Sequence, residues 1–364
     1  MQLRTILEAL ESEAPFSLQE SYDNSGIQIG SPEQDVKRGL ITLDVSPAVL
    51  QEAIHKECDL ILSHHPLLFK GLKRITGASA TEEVVMEAIR RGIAIVAVHT
   101  NLDNIRHGVN HELGRRLGLN NMRVLKPVSG LLRKLVTFCP LEHAVRVRAA
   151  LFQAGAGHIG DYDCCSFNTT GKGSFRAGES ASPFVGNIQE LHYEPEERIE
   201  TIFPEHSQNN VIAALMESHP YEEVAYDIYR LENPYDRVGS GMVGELEKAL
   251  PKEEFLHLLK ERLGAACLRY CEGAKDNVKQ VAICGGSGSF LIQDALRAGA
   301  DAFVTGDVKY HQFFDASGKL MIVDAGHYET EQYTRELILE ILKKKNINFA
   351  LLISEVSTNP VRCF

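Results

Sequence analysis

The chain has 364 residues, with 38 lysines and arginines against 49 aspartates and glutamates, so it carries a net charge of −11. With 44% apolar and 24% charged residues it has an ordinary globular composition, and its length allows more than one domain. The acidic balance argues against a nucleic-acid partner held by bulk electrostatics, because neutralising phosphates needs a basic excess, and no apolar run approaches the roughly 18 residues of a membrane span.

The first predicted element is an amphipathic helix with Leu3, Ile6, Leu7 and Leu10 on one face, and its early Glu8 argues against a signal peptide. A strand over 39–44 is followed by a helix opened by Pro47, with Val49, Leu50, Ala53 and Ile54 turned inward. A second strand over 59–63 ends at His64-His65-Pro66. A helix over 81–91 and a strand over 93–98, ending at His99, complete the first third. Near-continuous apolar strands alternating with helices predict a mostly parallel sheet covered on both faces.

The texture changes between 128 and 233. A strand over 134–138, a helix over 143–153, a Gly-rich stretch over 155–186 read as loop, a strand over 200–203, a helix over 211–217 and a strand over 224–230 follow one another. That order predicts an α+β, ferredoxin-like domain inserted into the chain. The last third returns to the first pattern: a strand over 280–284, a turn at 285–289, a helix over 290–298, a strand over 301–305 ending at Gly306-Asp307, and a strand over 321–324 leading to Gly326-His327. A terminal helix carries Tyr333, Leu337, Ile338, Ile341 and Leu342 at helical spacing.

Shifted by 242 residues, Gln51 falls on Gln293, Ala53 on Ala295, Asp59 on Asp301 and His65 on Asp307. The next strand matches at another offset, Ile95 to His99 against Val323 to His327, and each histidine has an acid four residues on, Asp103 and Glu331. The expected fold class is therefore α/β: two similar halves, 1–127 and 234–364, form one metal-binding domain around an inserted domain at 128–233.

Eight cysteines without a Cys-x-x-Cys spacing, among them adjacent Cys164-Cys165 and the pair Cys267/Cys271 on a predicted helix, make neither a disulfide framework nor a Cys-rich zinc site. They read as reduced thiols of a cytoplasmic protein, so the chemistry is sought among the histidines. His64 and His65 lie at the carboxyl end of a strand, where α/β sheets place ligands. Asp103 follows a second strand end, and His327 with Glu331 a third; the i and i+4 spacing puts the last two on one helical face. Three imidazoles and two carboxylates suit zinc, iron or manganese better than magnesium or calcium. Five such ligands suffice for two ions sharing a water, as in two-metal hydrolases.

These segments, with Asp23-Asn24-Ser25-Gly26-Ile27-Gln28, Thr305-Gly306-Asp307-Val308-Lys309-Tyr310-His311 and Gly326-His327-Tyr328-Glu329-Thr330-Glu331, resemble almost end to end the NGG-interacting-factor-three-like family, called GTP cyclohydrolase I type 2 homologues. The resemblance implies metal ligands at His64, His65, Asp103, His327 and Glu331, with Glu331 bridging two divalent ions. It also implies a hydrolase acting on a small, nucleotide-like substrate. Gly155-Ala156-Gly157-His158-Ile159-Gly160-Asp161-Tyr162 and His219-Pro220-Tyr221-Glu222-Glu223 resemble the CutA/PII-like insert of longer members, which implies a toroidal homohexamer. The alternative is a hexameric metal-binding scaffold or regulator without turnover.

His99 is either a general acid/base beside the metals or a residue that orients Asp103. Asp307 either supports a ligand histidine, pairs with Lys309 or His311, or acts in catalysis. Gly285-Gly286-Ser287-Gly288-Ser289 reads as a tight turn before an anion cradle, since it lacks the P-loop pattern. His158, His219, Glu222 and Glu223 read as loop contacts, and Lys343-Lys344-Lys345 as a complement to a helix dipole.

Overall fold

A computed structural model describes residues 1–345 and 347–363. The chain divides into a larger unit, Met1–Pro127 with Arg237–Phe364, and a smaller one, Val128–Asp236.

The larger unit holds two sheets. The first runs Gly26–Ile29, Ala94–Ala97, Leu60–Ser63, Arg38–Thr42, Ala350–Ile353. Its neighbours are parallel except at the Gly26–Ile29 edge. Alternate strand residues feed two cores. Ile41, Leu60 and Leu62 meet Leu3, Ile6, Ile338 and Leu342, while Leu40, Ile61 and Ile95 meet Val49, Ala53, Val84 and Ala88. Helices thus cover both faces, which explains why these strands lack polar alternation. The covering helices carry their own signals. Pro47 opens helix Pro47–His55 behind Ser46, whose hydroxyl accepts from Val49 N at 3.3 Å. Ser79 caps Ala80–Arg91, and Gly92 ends it at φ +66°.

The second sheet runs Arg269–Tyr270, Met321–Asp324, Ala302–Gly306, Asn277–Ser287, Pro234–Pro251, Asn120–Ser129. Met321–Asp324, Ala302–Gly306 and Asn277–Ser287 are parallel to one another. They stand in the order that Ala94–Ala97, Leu60–Ser63 and Arg38–Thr42 take in the first sheet. The correspondence reaches single hydrogen bonds. The Asp59 carboxylate accepts from Lys37 N at 2.8 Å and Arg38 N at 3.0 Å. The Asp301 carboxylate accepts from Lys279 N at 2.9 Å and Gln280 N at 2.8 Å, each residue at the 242 offset. The halves diverge after the second strand, where helix Ala80–Arg91 is replaced by the 3₁₀ turn Tyr310–Ala316. That shortening is why the third strands match at an offset of 228 rather than 242.

The smaller unit is an antiparallel sheet in the order Ser166–Arg176, Leu191–Pro204, Leu132–Pro140, Tyr226–Leu231, with helices Ala144–Gln153 and Gln208–Ser218. Leu135, Cys139, Val147, Leu151, Ile199, Phe203, Val211 and Leu215 form its core. Along the chain this is β-α-β-β-α-β, the split βαβ plait.

Three expectations are corrected. The Gly-rich stretch is not all loop, because Ser166–Arg176 is an edge strand paired throughout with Leu191–Pro204. Main-chain bonding holds its mostly exposed residues, so hydropathy carried no signal. Cys267 and Cys271 are not helical. Helix Lys252–Leu263 stops at Gly264, φ +64°, and the two cysteines flank strand Arg269–Tyr270. The strand predicted to end at 284 continues to Ser287, so the first glycines of the predicted turn belong to it. Among the described residues no helix is long and apolar enough to cross a membrane.

Candidate metal centre

The carboxyl ends of the central strands of both sheets carry the candidate residues. His64 and His65 follow Leu60–Ser63, and their backbone N–H groups donate to Thr42 O at 3.3 Å and Leu43 O at 2.9 Å. Asp103 sits in the short helix Thr100–Asn104, which begins directly after His99. His327 and Glu331 bound the equally short helix His327–Glu331 after Met321–Asp324. The fold brings all five together. One Glu331 oxygen, Oε2, lies 2.9 Å from His327 Nε2, 3.0 Å from His65 Nε2 and 3.8 Å from His64 Nε2. Asp103 Oδ1 lies 3.6 Å from His64 Nε2. Two sets of donors with metal-binding spacing share Glu331: His65, His327, Glu331, and His64, Asp103, Glu331. A third set is His64, His65, His99.

Each imidazole is anchored through Nδ1. His64 Nδ1 bonds Val98 O at 2.8 Å, His65 Nδ1 bonds Asp44 at 2.7 Å, His99 Nδ1 bonds Asp23 at 2.8 Å and His327 Nδ1 bonds Asp307 at 2.7 Å. A proton on Nδ1 donating outward leaves Nε2 as the free nitrogen, the usual tautomer of a metal-ligating histidine. His64 is fully buried, and burial pushes it down to about 4, so it stays neutral. Its Nε2 and Asp103 Oδ1 face one another, buried, without a hydrogen-bond partner. An ionised Asp103 opposite a neutral His64 leaves two acceptors with no donor, which is costly inside a protein, and a cation between them removes that cost.

The charges reinforce the fit. Burial and the neighbouring Glu331 charge hold the Asp103 carboxyl well above its ordinary range. Burial also opposes ionisation of Glu331, yet hydrogen bonds from His327 and His65 override it and keep Glu331 well below the usual range. Burial alone would lower His65 and His327, but bonds to Asp44 and Glu331 lift His65 to about 10, and bonds to Glu331 and Asp307 lift His327 to about 9. Without a metal, protons take its place on these two rings.

His99 therefore leans on Asp23 rather than on Asp103. Asp307 pairs with His327 and with Ser287 Oγ, and it holds a left-handed φ of +55° to do so. The glycines of the predicted turn serve close approach. Gly285 N donates to Asn110 Oδ1 at 2.9 Å and Gly286 N to Thr330 Oγ1 at 3.0 Å, so these N–H groups are engaged within the protein. A Cβ on Gly286 would come within 2.2 Å of Glu331 Oε1. Asp44 and Asp23 were absent from the sequence-derived set. Asp44 closes the strand over 39–44, as His65 closes the next, which is the one local sign it offers.

A cavity of about 940 Å³ opens over the cluster, with Tyr22, Phe69, Phe290, Arg269 and residues 359–361 among its walls. His158, Glu222 and Glu223 lie in the smaller unit and not in this cluster; His219 there bonds Phe138 O at 2.9 Å through Nε2.

Comparison with known proteins agrees over the whole chain. The family model described as Duf34/NIF3 (NGG1p interacting factor 3) matches residues 1–360. A Bacillus subtilis (strain 168) protein named GTP cyclohydrolase 1 type 2 homolog is 40% identical over 361 residues, 98% of this chain and 96% of its own length. One of the same name from Halalkalibacterium halodurans is 39% identical over 98% of this chain and 97% of its own. Among solved structures, a Bacillus cereus protein related to NIF3 superposes with a TM-score of 0.89 at 38% identity, covering 100% of this chain and 99% of that one.

Proposed function

The chain belongs to the Duf34/NIF3 family, and from that premise we propose that its larger unit is a metal-dependent hydrolase holding two divalent ions, zinc, iron or manganese. His64, Asp103 and Glu331 would hold one ion, and His65, His327 and the same Glu331 the other. The observation that carries this reading is the buried, partnerless pair His64 Nε2 and Asp103 Oδ1 beside a carboxylate shared with two more imidazoles. The chemistry such ions supply is activation of water at neutral pH and polarisation of an electrophilic carbon or phosphorus.

The protein's own part is positioning. Asp44, Asp307 and the Val98 carbonyl fix three imidazoles by their Nδ1 protons. His99, held by Asp23 and lining the cavity, keeps its Nε2 available to a substrate proton. Half-exposed Phe69 and exposed Phe290 and Tyr22 on the walls favour a planar, nucleotide-like substrate. The relatives' shared name agrees with that class. The β-α-β-β-α-β order of the smaller unit supports a CutA/PII-like insert, and with it a toroidal homohexamer of a cytoplasmic protein.

A hydrolysis screen on nucleotides, with and without chelator, tests the enzyme. Turnover should vanish with chelator, return with metal and be missing in Glu331→Gln. Absent or metal-independent turnover on every substrate would instead favour a metal-binding scaffold.

A further inference from the structure

The cavity over the metal cluster is short of permanent positive charge. Arg269 is the sole lysine or arginine among the described residues of its walls, where the other fixed charges are carboxylates, Glu20, Asp44, Asp307 and Glu329 among them. Arg269 is also held in place. Strand Arg269–Tyr270 pairs with Met321–Asp324 so that Arg269 stands opposite Asp324. Its Nη2 donates to Val308 O at 2.8 Å and to the Asp324 carboxylate, and the guanidinium lies 5.8 Å from the centre of the Phe313 ring. Asp324 is itself committed: Oδ2 accepts from Val308 N at 3.0 Å and Oδ1 from Gly326 N at 3.1 Å. Val308 follows Asp307, the anchor of His327 Nδ1, and Gly326 precedes His327. These bonds tie the guanidinium to the backbone on either side of His327's support. The Asp324 side chain is 5% exposed, whereas that of Arg269 is 58% exposed. Of the five N–H donors of a guanidinium, those on Nη2 are engaged; Nε and Nη1 make no hydrogen bond among the described residues.

We infer that Arg269 is a specificity-determining residue that takes a phosphate monoester on the substrate, so that the cavity prefers a nucleoside monophosphate to the unphosphorylated nucleoside. The inference rests on the reading of this cavity as a site for a nucleotide-like substrate, and names the group that the site selects. A guanidinium is charged at every working pH and is weakly hydrated, so it gives up water to an oxyanion at lower cost than an ammonium does. Its hydrogen bonds to a charged oxygen are stronger than those between neutral groups. Because Asp324, Val308 and Phe313 already hold the side chain, little of its freedom remains to be lost when the anion arrives. The carboxylates on the other walls repel a phosphate, which leaves Arg269 as the protein's own attractive point for it. Phe69 and Phe290 remain for the base.

The test is titration calorimetry on the full, metal-loaded chain with the common ribonucleoside 5′-monophosphates and their parent nucleosides. At least one monophosphate should bind about 10–100-fold tighter than its nucleoside. Arg269→Gln should erase most of that preference while leaving metal content and nucleoside affinity unchanged, and Arg269→Lys should restore part of it. No preference in the wild-type chain, or a preference that survives in Arg269→Gln because the metal ions alone take the phosphate, would overturn the inference. A second measurement needs no variant: phenylglyoxal should modify Arg269 in the wild-type chain, and the monophosphate, not the nucleoside, should slow that modification about tenfold or more, read by peptide mapping. Equal modification with either ligand would again overturn it. Binding is read whether or not turnover follows. Monophosphate held through Arg269 without hydrolysis of any substrate would therefore retire the hydrolase reading alone, whereas hydrolysis with no phosphate preference would retire the role of Arg269 alone.

Discussion

The two halves of the larger unit share a strand order and diverge at the strand ends. In the first half the second strand runs into His64 and His65; in the second half the matching positions are Gly306 and Asp307. A Cβ on Gly306 would lie 2.8 Å from His327 N, so the second half gives up a side chain there to let His327 approach. Asp307 no longer occupies a ligand position and instead holds His327 through Nδ1. The third strand ends keep a histidine and an acid four residues on in both halves, but the first uses aspartate and the second glutamate. The extra methylene lets Glu331 reach both donor sets, while Asp103 belongs to one. Duplicated strand ends thus bring together one asymmetric cluster: His64, His65 and Asp103 from the first half, and His327, the shared carboxylate and its support from the second.

That asymmetry can be broken most severely at Glu331. Glu331→Gln should strip both ions and lower metal content to background in elemental analysis, whereas Asp103→Asn should lose one of two. Equal losses from the two variants would make the halves equivalent. The supports come next. Asp307→Ala and Asp44→Ala should each weaken the ion at His65 and His327 by about 10–100-fold, read by competition with a chromophoric chelator. The ion at His64 should be untouched by either.

A smaller effect follows from the lifted histidines. In metal-stripped protein, His65 near 10 and His327 near 9 lie above the ordinary 6.5, so their stabilising contribution is complete below pH 6.5 and is lost as the pH rises through 9 to 10. Thermal melts of stripped protein should therefore show Tm falling across that window. Metal-loaded protein, with the ring protons displaced, should show a much flatter profile. The smallest effect lies where the halves differ in length. Ser79→Ala removes the cap of helix Ala80–Arg91, which the second half lacks, and should cost about 1 kcal/mol in urea unfolding without changing metal content.

The strands and helices of the larger unit were legible because burial on both faces writes continuous apolar runs, and because Pro47 and Gly92 punctuate them. The five clustered residues are legible for a related reason: each follows a strand end, and each of the two acids stands four residues after a histidine. Asp44 and Asp23 were not, because they meet His65 and His99 only across 21 and 76 residues of chain, with no local pattern to mark the pairing. Ser166–Arg176 was missed for the opposite reason. Its pairing is main-chain, and its glycines and exposed polar residues read as loop. The helical spacing of Cys267 and Cys271 misleads because Gly264 ends the helix before them.

The most direct test of a single site built from two unequal halves is anomalous diffraction from crystals of the metal-loaded chain. Two peaks about 3.5–4 Å apart are predicted, one beside His64 and Asp103, the other beside His65 and His327, with Glu331 between them. A single peak, or peaks away from Glu331, would contradict it.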